Sequence, residues 1–346
     1  DVCSSDLEDL RLLRGQGSYS DDVNLPGQVF MAMVRSTHAH ARIKRIDTTA
    51  AKKAPGVLCV LTGEDWAKSG WGDLPVPATH KRRDGSTNYK PRYPALVKDT
   101  VRFVGDYVAF VVAETKNQAK DAAEAVVADI EPLPVVTELS KAESGTALYD
   151  DAPKNLALDY HYGDSEKVNA AFASAKHKVK LKMVNSRTVV VSMEPRGCIG
   201  EWDARDERYT LYTGTQRPNG TRLELASRVL KIPETQLRVT AGEVGGSFGM
   251  KSGVFNEVGM VLMAAKALNR PVKWVATRSE SFVADAHARD NLTTAELAMD
   301  KSGKFLGLRV NTVYQCGAYT QPGTDSGAYS NIGTLAGVYL TPAVHV

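Results

Sequence analysis

The stretch Gly242-Glu243-Val244-Gly245-Gly246-Ser247-Phe248-Gly249-Met250-Lys251-Ser252-Gly253 lies between two apolar runs. The spacing predicts a strand over 236–241 before it and a helix over 255–268 after it, the latter stopped by Asn269-Arg270-Pro271. Five glycines in these twelve residues let the backbone approach a ligand closely, and the start of a helix offers unpaired N–H groups to an anion. A tight strand-to-helix turn that binds nothing fits the same residues. A phosphate loop of the Gly-x-x-x-x-Gly-Lys-Ser type fits less well, because Met250 stands where the second glycine belongs and its Cβ would obstruct the phosphate cradle.

Moving outward from this turn, the pattern mixes helix and strand on both sides, which predicts an α+β chain. Residues 29–36, 41–47 and 57–61 are expected to be strands, and 100–114 a longer strand region with a turn or bulge at Gly105-Asp106. Ala119, Ala122, Ala123, Val126 and Val127 recur at helical intervals, predicting a helix over 117–128. Residues 73–94, rich in proline and carrying Lys81-Arg82-Arg83, are expected to form a long solvated loop. The second half is expected to hold a strand at 208–213, a helix at 220–230, a strand at 272–276 and a hairpin of 293–299 with 305–313. The polar, aperiodic stretch 140–154 is the expected linker.

The chain has 346 residues, consistent with two domains, and 43 basic against 40 acidic side chains. That balance does not point to nucleic acid or an anionic surface. The apolar run 108–113 is far short of the ~20 residues of a membrane helix, and no signal peptide is evident, so a cytoplasmic protein is expected. Cys3, Cys59, Cys198 and Cys316 are widely spaced, which argues against an iron–sulfur, zinc or disulfide framework built by this chain alone.

Other chemistry-bearing residues admit plain readings. Gln216 in Gly214-Thr215-Gln216 offers both a donor and an acceptor at a strand end. Glu194 and Arg196 in Met193-Glu194-Pro195-Arg196-Gly197 suit either an ion pair with each other or the lining of a cleft, and the pair is the expectation. His38 and His40, two apart on an expected strand, and Asp285, His287 and Asp290 lack the further ligands a metal centre needs.

Together these segments resemble the molybdenum-binding large subunit of the xanthine dehydrogenase, aldehyde oxidase and aerobic carbon monoxide dehydrogenase family. Gly15-Gln16-Gly17-Ser18-Tyr19-Ser20-Asp21-Asp22, Val34-Arg35-Ser36-Thr37-His38-Ala39-His40-Ala41 and Arg102-Phe103-Val104-Gly105-Asp106 resemble its N-terminal α/β hammerhead domain. Met193 to Gly197, Gly214-Thr215-Gln216 and Gly245-Gly246-Ser247-Phe248-Gly249 resemble the first part of its molybdopterin-binding domain. The resemblance places the hammerhead at 15–139 and the molybdopterin domain at 155–346.

The resemblance implies a molybdenum–molybdopterin cofactor in its cytosine dinucleotide form, contacted by Gln216, Gly245, Gly246, Ser247, Phe248 and Gly249. Gln216 would hydrogen-bond an oxo group on the metal and Phe248 would border it, neither ligating it. Ser252 stands where xanthine-specific members carry glutamate, which turns the expectation away from purines toward an aldehyde, an N-heterocycle or carbon monoxide. Electrons would leave through [2Fe–2S] and FAD on an iron–sulfur small subunit and an FAD-binding medium subunit, in a dimer of heterotrimers. The general-base glutamate is expected beyond residue 346, so no catalytic residue is assigned here.

Both ends prompt expectations of their own. Asp1-Val2-Cys3-Ser4-Ser5-Asp6-Leu7 back-translates to a sequencing-adapter-like string, and residues 1–14 are set aside as scar and lead-in. The apolar C-terminus suggests truncation, which leaves a non-catalytic scaffold as the alternative role, with a nucleotide-binding protein behind it.

Overall fold

A computed structural model describes residues 4–76, 78–321, 329–330 and 332–346. Residues 1–3 of the adapter-like stretch lie outside that set. In chain order the first elements are α1 (Ser4–Leu13), β1 (Val29–Arg35), β2 (Ala41–Asp47), α2 (Thr49–Lys53), β3 (Val57–Thr62) and α3 (Gly63–Lys68). There follow β4 (Thr100–Val101), β5 (Tyr107–Ala113), α4 (Lys116–Glu124), β6 (Val127–Pro132), α5 (Ser165–Ser174), β7 (His177–Val189), β8 (Gly197–Asp203) and β9 (Arg208–Thr213). The remainder comprises α6 (Pro218–Glu224), β10 (Leu237–Thr240), α7 (Asn256–Leu268), β11 (Val272–Val275), α8 (Arg278–Ala284), β12 (His287–Met299), β13 (Phe305–Tyr314) and β14 (Val344–His345).

The chain divides into two compact units that interleave along the sequence: Asp1–Pro75, Tyr93–Leu133 and Val190–Ala286 form one, and Val76–Arg92, Pro134–Val189 and His287–Val346 the other. The first holds a seven-stranded sheet in the order β10-β9-β8-β11-β1-β5-β3 and a small sheet β4-β2-β6. The parallel pairing of β1 with β11, Val29 opposite Val272, joins strands some 240 residues apart. Every residue of β5 is buried, as expected for a continuous apolar run at the centre of a sheet. One sheet face packs Ala32, Val60, Ala109 and Val111 against Ala119, Ala122 and Ala123 of α4.

Two expectations are corrected here. The 100–114 strand region is two strands in different sheets: β4 pairs with β2, and β5 with β1 and β3. Gly105, at φ +102°, turns the corner between them, a conformation that favours glycine. The helix expected over 117–128 stops at Glu124. Thr115 and Gln118 close its N-terminus as a capping box, Val126 stays buried, and exposed Val127 starts β6 opposite Asp47.

α7 is the best-buried described helix, with every residue from Asn256 to Ala265 buried, and it ends where expected on Asn269 in the left-handed region. The expected helix 220–230 is α6 followed by a π-helical turn, Leu225–Leu230.

The second unit holds the sheet β14-β13-β12-β7, with α5 on β13 and β12 paired to β13 through the expected hairpin. β7 is a thirteen-residue edge strand. On one face it presents Val179, Leu181 and Met183, which are 54%, 55% and 41% exposed; alternation puts Lys178, Lys180 and Lys182 on the other. The basic loop near residue 81 is docked rather than solvated throughout: Arg82 Nη2 donates to the carbonyls of Leu156 and Ala157, and Arg83 pairs with Asp159.

Candidate functional site

β10 delivers the glycine-rich turn, and β9 delivers Gly214-Thr215-Gln216 beside it. Gly245 sits so close to the segment before β8 that a Cβ there would stand 2.5 Å from Glu194 Cβ. Gly246 and Gly249 hold φ of +96° and +94°, and Phe248 between them holds +51°. A non-glycine residue at positive φ is uncommon, and this phenylalanine is 82% exposed, so no core packing compensates the strain. The backbone N–H groups of Ser247, Phe248 and Gly249 make no hydrogen bond among the described residues. Such a run of donors suits an anionic or oxo group.

Gln216 is exposed, and its amide is oriented by the turn. Ser247 Oγ accepts from the Lys251 N–H at 2.9 Å and donates to Gln216 Oε1 at 2.5 Å. That assigns Oε1 as the acceptor and leaves the Nε2 donors for a ligand. Ser252 folds its hydroxyl back on the Gly249 carbonyl at 2.5 Å.

Lys251 removes the nucleotide alternative. Its ammonium is 1% exposed and donates to Glu194 Oε2 at 2.6 Å, so it cannot reach a phosphate. Asn256 opens the following helix only after Gly253 and two apolar residues, so the phosphate-loop geometry is absent as well. Glu194 also accepts from the Gly245 N–H at 2.8 Å and the Ser20 N–H at 2.9 Å. Burial pushes its carboxyl up, but the Lys251 ammonium and these N–H groups outweigh burial and hold it below the usual range.

The expected Glu194–Arg196 pair does not form. Arg196 instead bonds Glu257 at 2.7 and 3.1 Å and Asp285 at 2.6 Å, all three side chains being buried. Glu257 further accepts from Tyr107 Oη at 2.5 Å and Arg35 at 3.3 Å. Burial would raise the Glu257 carboxyl, but the two guanidiniums bring it below its ordinary value. This network escaped the sequence reading. The signal was available: Glu257 is the one charged residue in 256–265, at the head of the apolar run 258–265.

His38 and His40 lie in the connection after β1 rather than on a strand, and Asp285 and His287 separate, His287 Nδ1 accepting from Arg187 at 2.7 Å. Among the described residues no three His, Cys, Asp or Glu side chains gather as a metal cluster would require.

Residues 148–346 match the molybdopterin cofactor-binding domain model, and residues 14–134 match the a/b hammerhead domain of aldehyde oxidase and xanthine dehydrogenase. The chain belongs to the molybdenum-binding large-subunit family.

Among members of this family, the chain is 36% identical to the 6-hydroxypseudooxynicotine dehydrogenase complex subunit gamma of Paenarthrobacter nicotinovorans, over 97% of this chain and 42% of that protein. It is 34% identical to the carbon monoxide dehydrogenase large chain of Afipia carboxidovorans, over 98% of this chain and 42% of that one. The crystal structure of quinoline 2-oxidoreductase from Pseudomonas putida 86 superposes with a TM-score of 0.87 at 33% identity, covering 98% of this chain and 42% of that one. The chain thus spans about two-fifths of the length of these large subunits. Their hammerhead and molybdopterin-binding domains are the α+β fold expected from the sequence.

Proposed function

We propose that the glycine-rich turn and Gln216 form one wall of a molybdenum–molybdopterin site in a hydroxylase acting on an aldehyde, an N-heterocycle or carbon monoxide. The observation that carries this reading is the oriented Gln216 amide beside three consecutive N–H groups that make no hydrogen bond among the described residues. The residues fit the cofactor: Gly249 has nothing within 4 Å of an added Cβ, so the backbone is open to close approach. Gly245, Gly246, Ser247, Phe248 and Gly249 would line the group, with Gln216 Nε2 donating to an oxo group and exposed Phe248 excluding water. When bound, the cofactor supplies the redox centre that accepts substrate electrons.

The reading includes the cytosine dinucleotide form of the cofactor, iron–sulfur and FAD partner subunits, cytoplasmic location and the hammerhead boundary near residue 139. The partners are supported by the names of relatives described as large chains or complex subunits. The small, self-bonded Ser252 side chain favours substrates other than purines. Glu194 is not assigned as general base, since Ser20, Gly245 and Lys251 already occupy its oxygens.

The test is Gln216→Ala in the large subunit assembled with its partners. Turnover falls about 100-fold, the cost of losing one preorganised donor, while molybdenum per protein by plasma mass spectrometry stays above half of wild type. Equal loss of both would make Gln216 structural. A wild-type chain without molybdenum from a cofactor-producing host would favour the scaffold reading.

A further inference from the structure

We infer that Glu194 and Lys251 are positioning residues that set the Gln216 amide through the glycine-rich turn. The inference rests on the cofactor reading for its functional consequence, although the geometry stands without it.

The argument runs along one chain of bonds. Glu194 ties two other segments to its own: Oε1 takes the Ser20 N–H, and Oε2 takes two groups of the turn, the Gly245 N–H and the Lys251 ammonium. The return bond from the Glu194 N–H to the Gly245 carbonyl, at 3.0 Å, fixes the turn against this segment from the backbone side as well. Gly214 belongs to the same arrangement, since a Cβ there would lie 3.4 Å from Glu194 Oε2 and 3.1 Å from Ser20 Oγ. Lys251 then passes the constraint on through its own backbone. Its carbonyl accepts from the Gln216 N–H and from Thr215 Oγ1, both at 3.1 Å, and its N–H holds the Ser247 hydroxyl that orients the Gln216 side chain.

Gln216 is therefore held at its main chain and its side chain by groups that Lys251 places. An ammonium 1% exposed and a carboxylate 10% exposed are costly to bury, and a tight turn alone would not need them. Neither residue reaches the exposed face of the turn, so their effect on a ligand passes through Gln216, Ser247 and Gly245.

The experiment compares wild type, Lys251→Met, Glu194→Gln and the double variant as full 346-residue chains from a cofactor-producing host. Amide hydrogen exchange is read at Gly245 and Gln216, with Met260 and Leu262 of α7 as references, and bound molybdenum is measured in the same samples. The inference expects exchange at Gly245 and Gln216 to rise about tenfold or more in each variant with α7 within twofold, and molybdenum occupancy to fall with it. The double variant leaves no unpaired buried charge, so loosening of the turn in it separates positioning from simple charge burial.

Turn amides that exchange at wild-type rates in the double variant overturn the inference, as does acceleration shared equally by α7. If the turn loosens selectively but wild type carries no molybdenum, the positioning role stands and the cofactor reading falls. If molybdenum binds wild type and all variants equally while the turn loosens, the positioning role toward the cofactor is refuted.

Discussion

Replacing Arg196 with methionine tests whether the buried charge network holds the first unit together. Arg196 bonds both Glu257 and Asp285, at 2.6–3.1 Å, and stacks its guanidinium 3.8 Å over the Phe255 ring. Methionine fills most of the volume and keeps apolar contact with Phe255, so packing loss is small. It leaves two buried carboxylates, of which Glu257 retains Arg35 and Tyr107. Removing one partner of a buried pair costs about 3–5 kcal/mol. At about 2–4 °C per kcal/mol for a unit of this size, Tm falls by roughly 6–20 °C at pH 7.5.

The pH dependence gives the sign. The wild-type Glu257 carboxyl lies below its ordinary value, so its stabilisation is complete above the unfolded carboxyl pKa and is lost as pH falls through the lower folded value. Wild-type stability from this group is therefore flat between pH 7.5 and 5.5. In Arg196→Met the burial penalty on Glu257 persists without its main compensating charge, so this carboxylate takes up a proton more readily and the deficit narrows at pH 5.5. Thermal melts by circular dichroism at both pH values measure this. A deficit below about 1 kcal/mol, or one of equal size at both pH values, would refute the reasoning.

Two further outcomes concern the turn. Phe248→Gly relieves about 1–2 kcal/mol of left-handed strain and gives back about 0.5–1 kcal/mol in unfolded-chain entropy, so its melting temperature stays level or rises by a few degrees; a clear fall would mean the exposed ring packs on the fold. Gly245→Ala drives a Cβ to 2.5 Å from Glu194 Cβ and costs about 1–3 kcal/mol, measured by chemical denaturation, whereas a neutral result would contradict the close approach of the two segments.

Much of the fold was legible because its signals are local. The stop at Asn269-Arg270-Pro271, the β12–β13 hairpin and the glycine turn each depend on residues near one another in sequence. What stayed hidden depends on distant pairing. The contact of β1 with β11 leaves no mark in either strand, and the split at Gly105 follows from which sheet each half joins. β7 was legible in principle, since Lys178-Val179-Lys180-Leu181-Lys182-Met183 alternates with period two, yet no strand was expected there. At the site, residue types singled out Gln216 and the turn, and only the family resemblance gave them a role toward a cofactor. Lys251 invited a phosphate reading because its burial against Glu194, 57 positions away, is a tertiary fact.

The edge strand β7 bears on how the chain behaves in a test tube. A long strand with one side unpaired among the described residues and exposed Val179, Leu181 and Met183 is a template for stacking, the first step toward fibrous aggregates. Two copies meeting edge to edge would bring their Lys178 and Lys182 together on one face, Lys180 being paired with Glu296 at 3.3 Å, so repulsion between these lysines opposes stacking at the open edge. That guard is electrostatic, and at 1 M salt its reach shrinks to about 3 Å. Concentrated salt during purification is therefore expected to promote self-association through this edge, and dilute buffer to suppress it.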